Sequence, residues 1–290
     1  MAEALPELAG VDHRFADLPE LRMHVATAGE GDPVVLLHGW PQNWWSWRAL
    51  IPRLAERFQV VCPDLRGFGW SDPTTGGYDK ETMAEDILRL LDVLELPRVR
   101  LIGHDVGGFV GFLICLKAPE RVVRYLSLNT GHPFGRPTPA ALATFWRFWY
   151  WPVLGAPLLG PWLVRHGVFR MALRRWFTAD RAGWSPSDAA LFLDGLEEPA
   201  RALASSKTYR SFLLKDSPRV LFGRYRKQRL SVPTLMLHGL GDPVLREPFL
   251  RGYQPFADDM TLELVPGVGH FIAEERPELV LERALDFFEA

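Results

Sequence analysis

Between residues 24 and 128, short apolar runs alternate with stretches whose apolar residues recur every three to four positions. A short apolar run bounded by turn formers reads as a strand buried on both faces, and the 3.6-residue period reads as a helix with one buried stripe. Strands are therefore expected at residues 33–38, 59–62, 99–103 and 122–128, and helices at 44–57, 83–94 and 107–117. Strands separated by single helices pair in parallel, with helices on both faces of the sheet. Past residue 130 the alternation stops, and residues 133–230 are rich in Trp, Arg and Pro with helix-like patterning. Strand patterns return at 232–238 and 261–265, and an amphipathic helix is expected over 273–290. The pattern predicts one sheet domain, built from residues 1–132 and 231–290, interrupted by a helical insertion at 133–230.

Composition narrows the function classes. The chain has 290 residues, 48% hydrophobic and 23% charged, which suits one large domain with an insertion. A formal net charge of -2 supplies no electrostatic footprint for nucleic acid. Cys62 and Cys115 both sit in apolar runs and are expected as buried thiols in a reducing, cytoplasmic setting. Residues 1–10 have neither the basic nor the apolar stretch of a secretion signal. Residues 144–164 hold Trp146, Trp149, Trp151 and Trp162 and approach the length of a membrane span. Pro152, Pro157, Pro161, Gly155 and Gly160 interrupt the helix that a span requires, so no span is expected. The segment is expected to line an apolar pocket, with peripheral membrane contact as the alternative. Glu274, Glu275 and Arg276 are expected on a solvated helix face.

The chemistry centres on Gly103-His104-Asp105-Val106-Gly107-Gly108, placed between a strand and a helix. A turn this sharp strains its central residue and brings two backbones too close for side chains two positions to either side, where glycines stand. A central Asp is ionised at neutral pH, is favoured by the helix N–H groups, and attacks without a base. Its natural target is a saturated carbon bearing a leaving group, giving an alkyl ester that water must then cleave. The same residues would also suit a turn with a helix-capping Asp. His38-Gly39-Trp40-Pro41 follows the first buried strand, where the N–H of Trp40 and that of Val106 are the candidate oxyanion donors. His270, in the loop past the last strand, is the candidate general base, and Asp242, after the strand at 232–238, its orienting acid. Asn129 marks a second place for an acid but is an amide; His104 and His238 read as strand-end residues, and His13, His24, His132 and His166 have no comparable placement. The order nucleophile, acid, histidine fits a strand-end hydrolytic triad.

Together with Pro63-Asp64-Leu65-Arg66-Gly67-Phe68-Gly69-Trp70-Ser71, these motifs resemble the α/β-hydrolase superfamily across the chain, and within it the epoxide hydrolases. The resemblance implies an α/β fold of the α/β-hydrolase type: a mostly parallel sheet with helices on both faces and an inserted helical cap. It further implies hydrolysis of epoxides to vicinal diols through an ester on Asp105, with two cap tyrosines on the epoxide oxygen. Tyr150, Tyr209 and Tyr225 are the tyrosines of the insertion, and Tyr150 and Tyr209 look like the family's pair. His38, Pro41 and Trp149 are expected substrate contacts. The expected partners are a small apolar epoxide and water, with no metal or organic cofactor, and monomer or homodimer is left open. Many epoxide hydrolases and haloalkane dehalogenases are alike in placing Trp directly after the nucleophile, and this sequence departs from both with Val106. Dehalogenases of the same fold are the alternative, although they rely on that Trp to hold halide or, in fluoroacetate dehalogenases, on an Arg there to hold a carboxylate. A non-catalytic ligand-binding homologue is the second alternative.

Overall fold

The computed structural model describes residues 5–136, 138–168, 177–179 and 185–289. Eight strands, β1 (Asp12–Leu18), β2 (Leu21–Ala28), β3 (Asp32–Leu37), β4 (Phe58–Pro63), β5 (Val99–His104), β6 (Val122–Leu128), β7 (Thr234–Gly239) and β8 (Met260–Val265), form one sheet. Its order is β1-β2-β4-β3-β5-β6-β7-β8, with β1 and β2 antiparallel to their neighbours and all later pairs parallel. The described helices used below are α1 (Ile51–Leu54), α2 (Lys80–Val93), α3 (Asp105–Lys117), α4 (Pro139–Thr144), α5 (Tyr150–Gly155), α6 (Leu159–Arg165), α7 (Pro186–Leu193), α8 (Pro199–Ser211), α9 (Ser217–Leu221), α10 (Ile272–Glu275) and α11 (Pro277–Glu289).

Strand alternation divides the core in two. Val35, Leu37, Val61 and Leu101 face one layer, while Val34, Leu36, Val60 and Ile102, one residue out of step, face the other with Trp44, Trp47 and α11. The continuous apolar runs thus reflect burial on both faces. Helix α3 is buried from Val106 to Cys115, apolar on every side because it lies under both sheet and insertion. Cys62 and Cys115 are buried free thiols.

Three expectations are corrected. The β1–β2 hairpin was not foreseen, since β1 is largely exposed on both faces and carries little apolar signal. Residues 44–57 form no single helix but a 3-10 turn, Trp44–Trp47, followed by α1, because Pro52 removes an N–H and its ring crowds the carbonyl four residues earlier. The C-terminal helix is split at Arg276, the residue before Pro277, which is disfavoured from helical geometry. The split turns α10 inward. Glu274 and Glu275 are consequently buried, Glu274 pairing with Arg48 at 2.8 Å and Glu275 accepting from the N–H of Gly269 at 2.9 Å.

Between β6 and β7 the described regular elements are helices, apart from an isolated bridge at Leu230, and α5 and α6 both pack against α8. This insertion rests on loops that leave the strand C-termini: the Trp40 indole donates to Ser205, Asn43 to the carbonyl of Leu191, and Trp45 to Asp188. Helix α8 widens into a π-helical turn, Phe212–Asp216, before α9. Among the described residues no helix is long and apolar enough to cross a membrane.

Candidate active site

At the junction of β5 and α3, Asp105 adopts φ +49, the left-handed region that a non-glycine residue enters only at a cost. The turn can close because a Cβ on Gly103 would lie 2.6 Å from the carbonyl oxygen of Gly107, and one on Gly107 2.3 Å from that of Leu37. The oxygen Oδ2 of Asp105 accepts the Trp40 N–H at 3.0 Å, and the Val106 N–H also serves the carboxylate. Burial raises the Asp105 pKa above its ordinary value, against the pull of His270, these N–H groups and Lys80. Thr130 donates its hydroxyl to the Asp105 carbonyl at 2.8 Å and steadies the strained turn.

The imidazole of His270 comes from the loop after β8. Its Nδ1–H donates to Asp242 at 2.8 Å, and its Nε2 lies 3.9 Å from Asp105 Oδ1. Burial disfavours charge on the ring, but Asp242 and then Asp105 outweigh it and lift its pKa to about 9. Asp242 is fully buried rather than sitting in an exposed turn, and it also accepts the Val244 N–H at 2.8 Å and the Asn129 side-chain amide at 2.9 Å. Burial alone would raise the Asp242 pKa; His270 and these donors hold it well below the carboxylate range. Asn129 therefore braces the acid instead of replacing it. The Nε2–H of His104 donates to the His270 carbonyl at 2.9 Å, and burial depresses its pKa to about 3, leaving a neutral brace. His238 likewise donates to the Leu245 carbonyl at 2.9 Å.

Asp105, Val106, His270, Tyr150 and Tyr209 line one cavity of about 380 Å³, walled by Phe109, Phe148, Trp151 and Phe212 among others. The rings of Tyr150 and Tyr209 lie 5.9 Å apart and nearly perpendicular, and Tyr209 meets the Trp40 ring edge-on at 5.1 Å. Burial raises both phenol pKa values above the ordinary value, so both keep their O–H. Tyr225 is elsewhere, its hydroxyl bound to Glu81 at 2.9 Å.

The other expected substrate contacts lie outside this cavity. His38 is wholly buried beneath the loop, its Nε2 accepting the Leu65 N–H at 2.9 Å and its Nδ1–H donating to the Gly39 carbonyl at 3.0 Å. Both ring nitrogens are engaged by backbone, so the residue supports the turn and does not meet the cavity. Pro41 lines a separate cavity of about 720 Å³, with Trp70, Asp72 and Arg201, that contains neither Asp105 nor His270. Trp149 points outward and is half exposed, because the neighbouring Phe148 and Tyr150 occupy the inward face.

Sequence reasoning also missed residues that do belong here. His132 forms part of the cavity wall, with its pKa lowered to about 4 by burial. Lys80, the first residue of α2, is buried with its Nζ 3.4 Å from Asp216, 3.3 Å from the Thr208 carbonyl and 4.6 Å from the centre of the Phe212 ring. Asp216 also lines the cavity. Because Thr208 precedes Tyr209, this pair ties the tyrosine-bearing end of α8 to the sheet domain. No local motif announces a contact spanning residues 80 and 216.

Residues 32–154 match a family model described as the alpha/beta hydrolase fold. The soluble epoxide hydrolase of Corynebacterium sp. (strain C12) is 34% identical over 96% of this chain and 97% of its own length. The fluoroacetate dehalogenase of a Burkholderia species is 29% identical over 70% of this chain and 69% of its own. Among solved structures, the ligand-free epoxide hydrolase CorEH superposes with a TM-score of 0.82 at 32% identity, covering 96% of this chain and 99% of that one.

Proposed function

The chain belongs to the epoxide hydrolases of the α/β-hydrolase superfamily, and on that footing we propose that it opens apolar epoxides to vicinal diols through an ester on Asp105. The observation that carries the reading is that one carboxylate, its Oδ2 held by the Trp40 N–H, and two tyrosine phenols line a single apolar cavity. Residues 133–230 act as the cap that supplies the phenols.

In the first step Asp105 Oδ1, the carboxylate oxygen not engaged with Trp40, attacks an epoxide carbon. A C–O bond forms, the ring C–O bond breaks, and its electron pair goes to the ring oxygen. Tyr150 and Tyr209 hydrogen-bond that oxygen, and one of them passes it a proton; without such a donor the alkoxide is a poor leaving group. In the second step water attacks the ester carbonyl carbon and His270 Nε2 takes its proton. The separation of 3.9 Å between Nε2 and Asp105 is too long for a direct hydrogen bond and suits an intervening water. Negative charge then builds on the oxygen facing the N–H groups of Trp40 and Val106, which are already aimed at it. The tetrahedral intermediate collapses by breaking the C–O bond to the alkyl group, whose oxygen takes the proton held by His270. The diol leaves, and the carboxyl proton returns to the phenolate, restoring the Asp105 carboxylate and the tyrosine. Asp242 holds the tautomer of His270 and balances its charge.

Dehalogenation is disfavoured by two features. Val106 offers no side-chain donor, and the Trp40 indole N–H is committed to Ser205 and does not face the cavity. The direct test is diol formation from a panel of aryl and alkyl epoxides by the wild type and by Asp105→Ala. Diol from the wild type and none from the variant is expected; equal diol from both would remove Asp105 from the chemistry.

A further inference from the structure

The insertion carries a charge imbalance that the whole-chain value conceals. Residues 133–230 hold 16 Lys and Arg against 6 Asp and Glu, although the chain as a whole is at -2. The same segment exposes large apolar side chains. Helices α5 and α6 rest against α8, and on their outer side Leu158 is 88% exposed, Trp146 just before them 65% and Trp162 53%. Beyond the π-helical turn, Leu214 is 70% and Phe222 89% exposed.

Trp146 directly follows Phe145, and Phe222 directly follows Leu221, both wall residues of the catalytic cavity. Leu142 and Phe145 on one side and Leu221 on the other line that cavity and are at the same time 43–59% exposed, so its rim is apolar and open to the outside. Exposed single aliphatics are ordinary, but several exposed tryptophans and aliphatics on the helices of one insertion, together with an open apolar rim, mark an interaction surface. Exposed tryptophans and aliphatics on a segment with this positive excess match the interfacial zone of an anionic bilayer, where aromatic rings sit at headgroup level and cations are drawn to lipid phosphates. A protein partner of matching acidity lacks the apolar phase that the open rim fits.

We propose that this cap face docks on anionic lipid bilayers, with the cavity mouth set against the membrane so that lipophilic epoxides enter directly from it. The docking stands on the surface alone; the delivery of epoxides rests on the reading of the active site above. It also separates two parts of the cap: the inward residues Tyr150 and Tyr209 serve the chemistry, and the outward residues Trp146, Leu158 and Trp162 serve location.

The test is co-sedimentation of the full chain with vesicles of phosphatidylcholine alone or with 30% phosphatidylglycerol, at low and high salt. The comparison variant is Trp146→Ser/Leu158→Ser/Trp162→Ser, with diol formation from a water-soluble epoxide followed in parallel. Expected are sedimentation that needs the anionic lipid and falls with salt, at least tenfold weaker partitioning of the variant, and unchanged turnover of the soluble epoxide. Absence of sedimentation, or equal sedimentation of the variant, overturns the proposal. So does a concentration-dependent dimer that the three substitutions dissolve, since the face would then join two copies of the chain. Sedimentation without diol from any epoxide would instead leave the docking standing and remove the catalytic reading.

Discussion

In the proposed mechanism, esterification of Asp105 would remove the charge of one of the two carboxylates that lie beside the His270 ring. In the resting protein Asp242 at 2.8 Å and Asp105 at 3.9 Å overcome burial and raise the ring to a pKa of about 9. A unit charge at that second distance, with an effective dielectric constant of about 20, contributes about 4 kcal/mol. Since about 1.4 kcal/mol corresponds to one pKa unit, loss of the Asp105 charge returns the ring from about 9 to the neighbourhood of its ordinary 6.5. On this mechanism the histidine would be charged while Asp105 attacks and would become a usable base once the ester had formed. A base must be neutral, so ester breakdown should rise with pH through a midpoint near this ordinary value. Ester formation, which needs only ionised Asp105 and the phenols, should stay flat between about pH 6 and 9. Rapid-quench single turnovers, with ester followed by intact mass across this range, separate the two steps. A breakdown midpoint that stays near 9 would refute the coupling between Asp105 and His270.

Tyr150→Phe and Tyr209→Phe should each slow ester formation by about tenfold to a hundredfold and leave ester breakdown unaffected, while the double variant loses about 10⁴-fold; equal slowing of both steps in quenched-flow traces would contradict the assignment. Lys80→Met strands the buried Asp216 carboxylate and should cost about 3–5 kcal/mol in urea unfolding. Lys80→Met/Asp216→Leu should recover most of that loss, and a double variant as unstable as the single would show that the pair is not what matters.

The parallel core of the sheet was legible because strands buried on both faces read as continuous apolar runs, and the elbow because its glycines are forced by backbone contacts at Leu37 and Gly107. Asp105, His270 and Asp242 could be placed since each ends or follows a strand, and strand ends converge on one edge of a parallel sheet. The β1–β2 hairpin was not, as an exposed edge strand carries little hydrophobic signal. His38 and Trp149 were misplaced for a related reason: pattern reveals that a residue lies near the site, not whether its side chain turns toward it. Asn129, Lys80 and Asp216 act through partners more than a hundred positions away in sequence, beyond the reach of any local period.

The covalent ester is the claim on which the rest depends, and His270→Ala exposes it most directly. Without the base, attack by Asp105 should proceed and ester cleavage should stall. Intact-mass measurement after incubation with an aryl epoxide should therefore show a single addition equal to the epoxide mass, located by peptide mapping to Asp105. An unmodified variant, under conditions where the wild type forms diol, would contradict the ester and leave direct attack of water on the epoxide in its place.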